Sequence, residues 1–157
     1  MNNLENLKKP FPANKIHWRV GARAKDKKKG IALAYIDARD VMERLDEVVG
    51  MSGWQRRHPF AGCCEIGIEV DGRWIWKADG AGDVIVREQA KEEEQSMKEK
   101  GNYSDSFKRA AASWGIGRYL YDLPQLWVEL DDYGGISKET KASLTQRLDA
   151  WQTKKFG

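Results

Sequence analysis

Hydrophobic and polar positions change their spacing several times along the chain, and each change predicts a different element. Short apolar runs at 16–20 and 31–36 predict two strands, and the charged turn 25–30 joins them into a long hairpin with a basic tip. Asp37 can then cap a helix whose apolar residues recur at helical spacing up to Gly50, a residue that favours a helix end. The pattern therefore begins with strand, strand and helix.

The next segment predicts three strands, at 54–60, 63–70 and 73–78. An Asp-Gly dipeptide separates the last two strands, and it is a strong signal for a two-residue hairpin turn. Because successive side chains of a strand point to opposite faces, Trp74 and Trp76 should share one face. The sequence thus predicts a hairpin that presents two neighbouring indole rings together.

Helical patterns dominate the chain after these strands. Residues 88–100 are strongly charged and predict a solvated helix, which we expect to end at the Gly-Asn pair that follows. Ser104 is then expected to cap a further helix, which continues to about Tyr121 before Pro124 stops it.

A short strand at 127–130 and a C-terminal helix over 137–157, which Ser137 should cap, complete the pattern. This order of elements predicts an α+β fold, with a largely antiparallel sheet and its hairpin packed on helices. With 157 residues the chain is long enough to bury a core, and we expect a single domain over 1–157.

Positive charge is concentrated in the first part of the chain. Residues 1–60 contain 13 Lys and Arg against 7 Asp and Glu, whereas the remainder contains 14 against 17. A local excess of cations favours a polyanionic partner, although a solvated charged surface gives the same composition. Because the chain has no membrane-length apolar run, no signal-peptide pattern and only two adjacent cysteines, we expect a cytoplasmic protein with reduced thiols and no membrane contact.

The adjacent cations Lys108 and Arg109 are the first candidate site. They would lie about one turn inside the helix predicted after Ser104, where unpaired N–H groups and the helix dipole favour anions. The other candidate phosphate contacts are cations of the basic part of the chain: Arg19, Arg23, Lys27, Lys28, Lys29, Arg56 and Arg57. The aromatic rings that could stack on unpaired bases are Trp18, Tyr35, Trp74 and Trp76.

Enzyme chemistry has less support. The sequence has no glycine-rich phosphate loop, nucleophile elbow or zinc-type spacing of cysteine and histidine, so no catalytic residue, metal or other cofactor is predicted. One alternative is a magnesium-dependent nuclease, whose donors would be Glu65, Glu69, Asp79 and Asp83 with Lys77. A second alternative is a passive nucleic-acid-binding module, such as a double-stranded-RNA-binding domain, since that fold also packs strands on helices.

Three separated segments share their motifs with one known family. A strand and helix followed by Gly-x-x-Gly-Trp run from Tyr35 to Trp54, and Lys77-Ala-Asp-Gly-Ala-Gly-Asp83 forms an acidic, glycine-rich turn. Ser104-Asp-Ser-Phe-Lys-Arg-Ala110, followed by Trp114-Gly115, is similar to a Thr-Asp-x-x-Lys-Arg-Ala helix with its aromatic-Gly pair. In this order, over about residues 16–125, the motifs resemble the Rad fifty-two type single-strand annealing proteins, whose phage members include the Sak recombinases.

The resemblance implies an ATP-independent protein, not an enzyme, that anneals single-stranded DNA in homologous recombination and DNA repair. Family members have an α+β annealing domain that assembles into a ring or helical multimer, with single-stranded DNA in a basic groove. Lys108 and Arg109 look like the family's DNA-contacting pair, Arg19 is similar to a DNA-contacting arginine before the hairpin, and Tyr35 matches a tyrosine of the groove. The implied partners are single-stranded DNA and further copies of the chain, with a single-strand-binding protein and a recombination exonuclease as candidates.

The chain departs from the family pattern at three places. Ala112 stands where the family often has another arginine, and Arg118 is the residue that would compensate. The stretch 22–30 is longer and richer in lysine than in the family pattern. Because the chain ends at Gly157, we expect an annealing domain with little else, as in phage proteins that act in a bacterial host cell.

Overall fold

The computed structural model describes residues 3–80 and 92–157, with the side chains of residues 92–102 outside that description. The described helices and strands are β1 (His17–Arg23), β2 (Lys29–Tyr35), α1 (Ala38–Val49), β3 (Trp54–Arg57), β4 (Cys63–Val70), β5 (Arg73–Gly80), α2 (Glu92–Ser113), β6 (Leu126–Glu129) and α3 (Lys138–Phe156). Short 3₁₀ turns lie at Leu4–Lys8, Ala13–Lys15 and Arg118–Asp122. The predicted α+β class is confirmed. Among the described residues, no helix combines the length and apolar character needed to cross a bilayer.

The described strands form two antiparallel sheets. Sheet A has the order β1-β2-β6, and sheet B has the order β3-β4-β5. The antiparallel pairing was predicted correctly, but the expectation of one sheet is wrong. β6 returns from the far end of the chain to pair with β2, and α1 follows β2 before β3 begins a new sheet.

The chain divides into two compact units. The first unit comprises Met1–Lys9 and Asp37–Arg118, and the second comprises Pro10–Ile36 and Tyr119–Gly157. Sheet B, α1 and α2 belong to the first unit, whereas sheet A and α3 belong to the second. The prediction of a single annealing domain over 1–157 stays a prediction.

Local signals set the boundaries of α1 in the first unit. Asp37 and Asp40 form a capping box, in which each carboxylate accepts the backbone N–H of the other residue. Gly50 ends the helix with a φ of 83°, a conformation that glycine adopts without strain. On the buried side of α1, the Arg44 guanidinium donates to the carbonyls of Leu7 and Lys9 and so ties the N-terminal segment to the helix.

Helix α2 packs across the middle strand of sheet B. Phe107, Ala110 and Ala111 are fully buried on the helix, and Ile66 and Ile68 are fully buried on β4 beneath it. Small alanine side chains let the helix backbone approach the sheet closely. The indole N–H of the buried Trp114 donates to the Ile66 carbonyl at 2.9 Å, which fixes where the helix lies along the strand.

The predicted boundaries of this helix are wrong. α2 continues through Gly101 and Asn102 and past Ser104, and it ends at Ser113 rather than near Tyr121. One glycine inside a helix costs only about 1 kcal/mol, and packing against sheet B outweighs that penalty. The end is earlier because Gly115 and Gly117 take φ values of 97° and 72°. Part of the charged stretch 88–100, residues 88–91, lies outside the described residues.

The hairpin between β4 and β5 is confirmed. Asp71 and Gly72 have φ values of 52° and 80°, the left-handed pair required at the centre of a type I′ turn. Glu69 lies opposite Trp74, and Gly67 lies opposite Trp76, so the two tryptophans share one face as predicted.

The second unit closes around α3. Ser137 caps this helix, since its hydroxyl accepts the Thr140 N–H at 3.1 Å, and Leu144 and Leu148 are buried. The buried Gln152 donates to the Phe11 carbonyl at 2.9 Å and so joins the helix to the segment that precedes β1.

Removal of the Ser137 cap should destabilise the second unit. Ser137→Ala leaves the Thr140 N–H without its side-chain acceptor, and the loss should be about 1 kcal/mol in the free energy of unfolding. Urea unfolding followed by circular dichroism measures this change. The matched control is Ser143→Ala, which removes an exposed hydroxyl from the same helix and should leave the midpoint unchanged or slightly raised. Equal midpoints for both variants would contradict the capping role.

Candidate nucleic-acid interface

Arg19 and Tyr35 lie side by side on one face of sheet A. His17 pairs with Tyr35 and Arg19 pairs with Leu33, so these side chains point to the same side of the hairpin. The Arg19 guanidinium carbon is 5.7 Å from the centre of the Tyr35 ring, a cation–π distance. The open face of sheet A is defined by His17, Arg19, Ile31, Leu33, Tyr35 and Trp127.

Trp18 points away from this face and belongs to the core of the second unit. Its side chain is buried together with Ala32 and Leu126, and its indole N–H has no hydrogen-bond partner among the described residues. The hypothesis that Trp18 stacks on bases is therefore wrong. The reason is strand alternation, which places Trp18 and Arg19 on opposite faces.

The tip of the β1–β2 hairpin is basic and exposed, as predicted. Lys27 closes the turn with a φ of 60°, and the side chains of Lys27, Lys28 and Lys29 all reach solvent. Arg23 has an internal partner as well, because its Nη2 donates to the Gly134 carbonyl at 3.1 Å. With Lys25, which is exposed as well, the tip presents four lysines, while Arg23 also holds the loop before α3.

Lys108 and Arg109 lie near the C-terminal end of α2. The prediction that they lie one turn inside a helix start is wrong, because the chain is already helical well before Ser104. Arg109 is exposed, and its Nε donates to Asp105 Oδ2 at 3.1 Å, whereas Lys108 is half-buried. The helix dipole is negative at this end, so the dipole itself does not attract phosphate here.

Two other cations cover the last carbonyls of α2. Arg118 donates to the carbonyls of Ala112 and Ser113, both at 2.8 Å, and Lys77 Nζ lies 3.4 Å from the Ser113 carbonyl. These contacts satisfy carbonyls that a helix end leaves unpaired, and they offset its negative partial charge. Lys108 and Arg109 therefore lie beside a helix end whose negative partial charge is offset by Arg118 and Lys77. The role found for Arg118 is this cap on the helix end.

Arg56 and Arg57 point to opposite faces of sheet B. Arg56 lies opposite Ile66 on the face that α2 covers, and its guanidinium carbon is 4.6 Å from the centre of the Phe107 ring. Arg57 lies opposite Glu65 on the other face. Of these two arginines, Arg56 alone lies on the side of sheet B that α2 covers. Arg56 and Arg57 therefore cannot contact the same phosphate group from one face of the sheet.

Lys77 is a cation that sequence reasoning assigned only to the nuclease alternative. It also lies opposite Ile66, on the other side of β4 from Arg56, and its Nζ is 4.8 Å from the centre of the Trp114 ring. Arg56 and Lys77 therefore flank α2 from its two sides. The signal for this position was present in the alternation of β5, because the face opposite Trp74 and Trp76 is the one that carries Lys77.

The outer face of sheet B is defined by Arg57, Glu65, Glu69, Trp74 and Trp76. A Cβ added to Gly67 would come within 2.7–2.8 Å of three atoms of the Trp76 ring, so this ring lies against the Gly67 backbone. The Arg57 guanidinium carbon is 3.8 Å from the ring centre, and Arg57 also forms an ion pair with Glu65. Trp76 is thus covered on both sides and has no open side for a base.

The carboxylates of the nuclease alternative do not converge. Glu65 and Glu69 point to the outer face of sheet B, whereas Asp79 and Lys77 point to the face that α2 covers. Asp83 lies outside the described residues. Carboxylates that share a magnesium ion must approach it to within a few ångström, and here a β-sheet separates them.

The adjacent cysteines also differ in their surroundings. Cys64 is buried under α2, and burial raises the pKa of its thiol from 9.0 to about 11, so the thiol stays protonated at neutral pH. Cys63 is half-buried on the opposite face of β4. Cys64 is therefore a core residue and not a nucleophile.

The ten candidate contacts are distributed over both units. Arg19, Arg23, Lys27, Lys28, Lys29 and Tyr35 belong to the second unit, and Arg56, Arg57, Lys108 and Arg109 belong to the first. Within the units, the structure brings Arg19 to Tyr35 and places Arg56 on the same side of sheet B as α2. Arg57 is directed to the other side of that sheet.

Residues 2–136 match the family described as Rad52/22 family double-strand break repair protein. The chain belongs to this family. The match extends beyond the span of 16–125 expected from the three motifs, at both ends, and the family resemblance is confirmed.

Two bacterial proteins resemble this Rad52/22 family chain. The single-stranded DNA-binding protein DdrA of Deinococcus deserti is 38% identical over 132 residues, which cover 82% of this chain and 61% of the relative. The protein of the same name from Deinococcus radiodurans is 36% identical over 130 residues, which cover 82% of this chain and 59% of the relative. The chain spans about three fifths of the length of these relatives. No solved structure matches it. The phage origin stays a prediction.

Proposed function

We propose that this chain binds unpaired DNA and anneals complementary strands without nucleotide hydrolysis, in recombination and double-strand break repair. The observation that supports this most directly is the family match, because it spans residues 2–136 and includes all ten candidate DNA contacts. Two relatives named single-stranded DNA-binding proteins, each aligned with 82% of the chain, support the same function.

Charge neutralisation would be the physical basis of annealing. Two unpaired strands repel each other through their phosphates, and each strand also folds on itself. Lysine and arginine that contact phosphates release condensed counterions and lower this repulsion. A strand held by its backbone keeps its base edges free, so that pairing with the second strand, rather than the protein, tests the sequence.

The surroundings of Lys108 and Arg109 fit a contact that phosphate can enter. The Arg109 and Asp105 side chains are 49% and 45% exposed, and an exposed ion pair of this kind contributes only about 0–1 kcal/mol. A phosphate oxygen can replace the Asp105 carboxylate at little cost. Lys77 and Arg118 assist by offsetting the negative helix end nearby.

We extend the proposal to self-assembly, as a ring or a helical multimer, on the basis of the family resemblance. Sheet B supports it, since the eight-residue strand β5 lies at the edge of the sheet that the described strands form, in the order β3-β4-β5. An edge strand offers unpaired backbone groups to another chain. A single-strand-binding protein and a recombination exonuclease are partners proposed on the resemblance alone.

Annealing should be faster in the presence of the protein. Two complementary oligonucleotides that carry a fluorophore and a quencher should pair faster than they do alone, without ATP and with a chelator present, because charge neutralisation needs neither. Binding without faster pairing would identify a passive binding module. Cleavage that requires Mg²⁺ would identify a nuclease.

Loss of Lys108 or Arg109 should weaken binding about equally for all sequences. Lys108→Ala and Arg109→Ala should each make the dependence of log affinity on log salt shallower by about 0.7 per lost phosphate contact. Fluorescence anisotropy with a labelled oligonucleotide at several salt concentrations measures both quantities.

The matched control for Arg109 is Arg147→Ala, which removes an exposed helical arginine outside the family match of residues 2–136. Asp105→Asn provides a test of opposite sign, since it removes the carboxylate that competes with phosphate and should strengthen binding. Affinity that is unchanged at 100 mM salt (roughly physiological ionic strength) in both alanine variants would remove these two residues from the contact.

The protein should also be an oligomer in solution. Sedimentation velocity at micromolar concentration should give a mass several times that of the 17.9 kDa chain. A monomer both with and without single-stranded DNA would contradict the assembly, while leaving single-strand binding to be judged by the anisotropy measurement.

A further inference from the structure

The two faces of sheet A differ sharply. Trp18, Ala32, Leu126 and Val128 point to one side, and all four are buried. On the open face, by contrast, Leu33 and Trp127 stay exposed within the described part of the chain. Such a surface on a described sheet needs an explanation, because soluble proteins seldom expose several adjacent apolar residues.

Trp127 is the most prominent residue of the open face. Its side chain is 50% exposed, and it pairs in register with Ile31 of β2. Leu33, two residues further along β2, is 39% exposed. Leu33 leans across β1, because a Cβ added to Gly21 would lie only 2.9 Å from its Cδ1 and Cγ. A low apolar strip therefore runs from Trp127 towards Tyr35.

The charged residues around this strip indicate which kind of partner it fits. Arg19 lies next to the strip, because it pairs in register with Leu33. Lys29 lies two residues before Ile31 on the same face. Glu129 is the one acidic side chain that the described pairing sets on this face. Unpaired nucleic acid needs this combination, in which cations meet its phosphates and flat apolar side chains meet its bases. The strip is also continuous with the Arg19–Tyr35 pair.

We propose that Trp127 is a base-stacking residue of the single-strand site, and that the strip over Ile31 and Leu33 leads the strand from Trp127 to Tyr35. This inference rests on the proposed function and adds a contact that none of the ten candidates includes. Ile31 and Tyr35 are four strand residues apart, or about 13 Å at roughly 3.3 Å per residue. Sheet surfaces of this extent hold two or three stacked bases.

Stacking at Trp127 is compatible with annealing. An indole ring contacts the face of a base and leaves its pairing edge free. The base can therefore be held in place while a second strand tests it. Stacking is also tolerant of sequence, because every base has such a face.

The outer face of sheet B provides the matched comparison. Trp74 is 36% exposed on a strand, like Trp127, but it lies opposite Glu69 and next to Trp76, whose partner Arg57 is paired with Glu65. Its acidic surroundings disfavour a phosphate backbone. Trp74→Ala therefore controls for the loss of an exposed tryptophan without the loss of a base contact.

The test measures the affinity of an oligothymidine and of the same oligonucleotide with abasic positions, for the wild type and each variant. Trp127→Ala should weaken binding of the intact oligonucleotide by about 5- to 150-fold and leave the salt slope unchanged, because stacking releases no counterions. The preference of the wild type for intact over abasic DNA should shrink in Trp127→Ala. Trp127→Tyr, which keeps a ring, should retain most of the affinity, and Trp74→Ala should behave as the wild type.

Each other outcome has a defined meaning. A wild type that binds no oligonucleotide overturns the proposed function and this inference together. A wild type that binds, with Trp127→Ala showing the same affinity and the same abasic preference, overturns the inference alone. If Trp127→Ala instead dissociates the oligomer while each chain keeps its affinity, the open face is a contact between copies and the inference is wrong. If Trp127→Ala does not fold, the test relies on Trp127→Tyr and on the abasic series with the wild type. Equal affinity of the wild type for intact and abasic DNA then overturns the inference.

Discussion

The packing of α2 on β4 determines where the cations of the first unit point. Phe107, Ala110, Ala111 and Trp114 cover the buried residues of β4, and the hydrogen bond from Trp114 to the Ile66 carbonyl fixes the helix along the strand. With this side of the helix buried, Arg109 must lie on the solvent side. The same packing leaves Arg56 and Lys77 on the two flanks of the helix. Arg56 lies over the Phe107 ring of α2, and Lys77 lies over the ring of Trp114, just after the helix end. One hydrophobic contact thus organises four basic residues, two from the helix and two from the sheet.

Lys108 and Arg109 lie near the C-terminal end of a helix, and this position changes the electrostatic argument for phosphate binding. A helix start would have attracted phosphate through its own dipole, whereas a helix end repels it. In this chain the repulsion is countered by side chains, because Arg118 and Lys77 donate to the carbonyls of Ala112 and Ser113. Attraction to phosphate at this site would therefore come from side-chain charge and would be strongly dependent on salt. The helix-start argument for Lys108 and Arg109 is therefore wrong, and their role as DNA contacts stays a prediction.

The features that sequence reasoning predicted correctly are those with local causes. The Asp37 cap, the Gly50 end, the Asp71-Gly72 turn and the Ser137 cap each depend on a few neighbouring residues, and all four are present in the structure. The errors concern features decided by distant contacts. Gly101 predicts a helix break, yet the helix continues through it because α2 packs against sheet B. Trp18 carries no local signal of burial, but it lies on the buried face of sheet A together with Ala32 and Leu126. Strand alternation already implies that Arg56 and Arg57 point to opposite faces, but only the register of sheet B shows that Arg56 is the one on the side of α2.

Strand alternation finally explains why two sheets of similar size present surfaces of different chemistry. In sheet B, alternation gives α2 the apolar side and leaves tryptophans among carboxylates on the outer face, where Arg57 is already engaged by Trp76 and Glu65. In sheet A, it buries Trp18 and leaves Arg19, Tyr35, Leu33 and Trp127 on the open face. Both faces contain aromatic rings, so ring content alone does not distinguish them. The balance of charge beside the rings does. In the described pairing, Arg19 and Lys29 outnumber Glu129 on the open face, whereas Glu65 and Glu69 outnumber Arg57 on the outer face of sheet B. A polyanion gains from cations within a Debye length of about 8–10 Å and loses from carboxylates there. On that criterion the open face of sheet A is the surface of the two that favours an unpaired DNA strand.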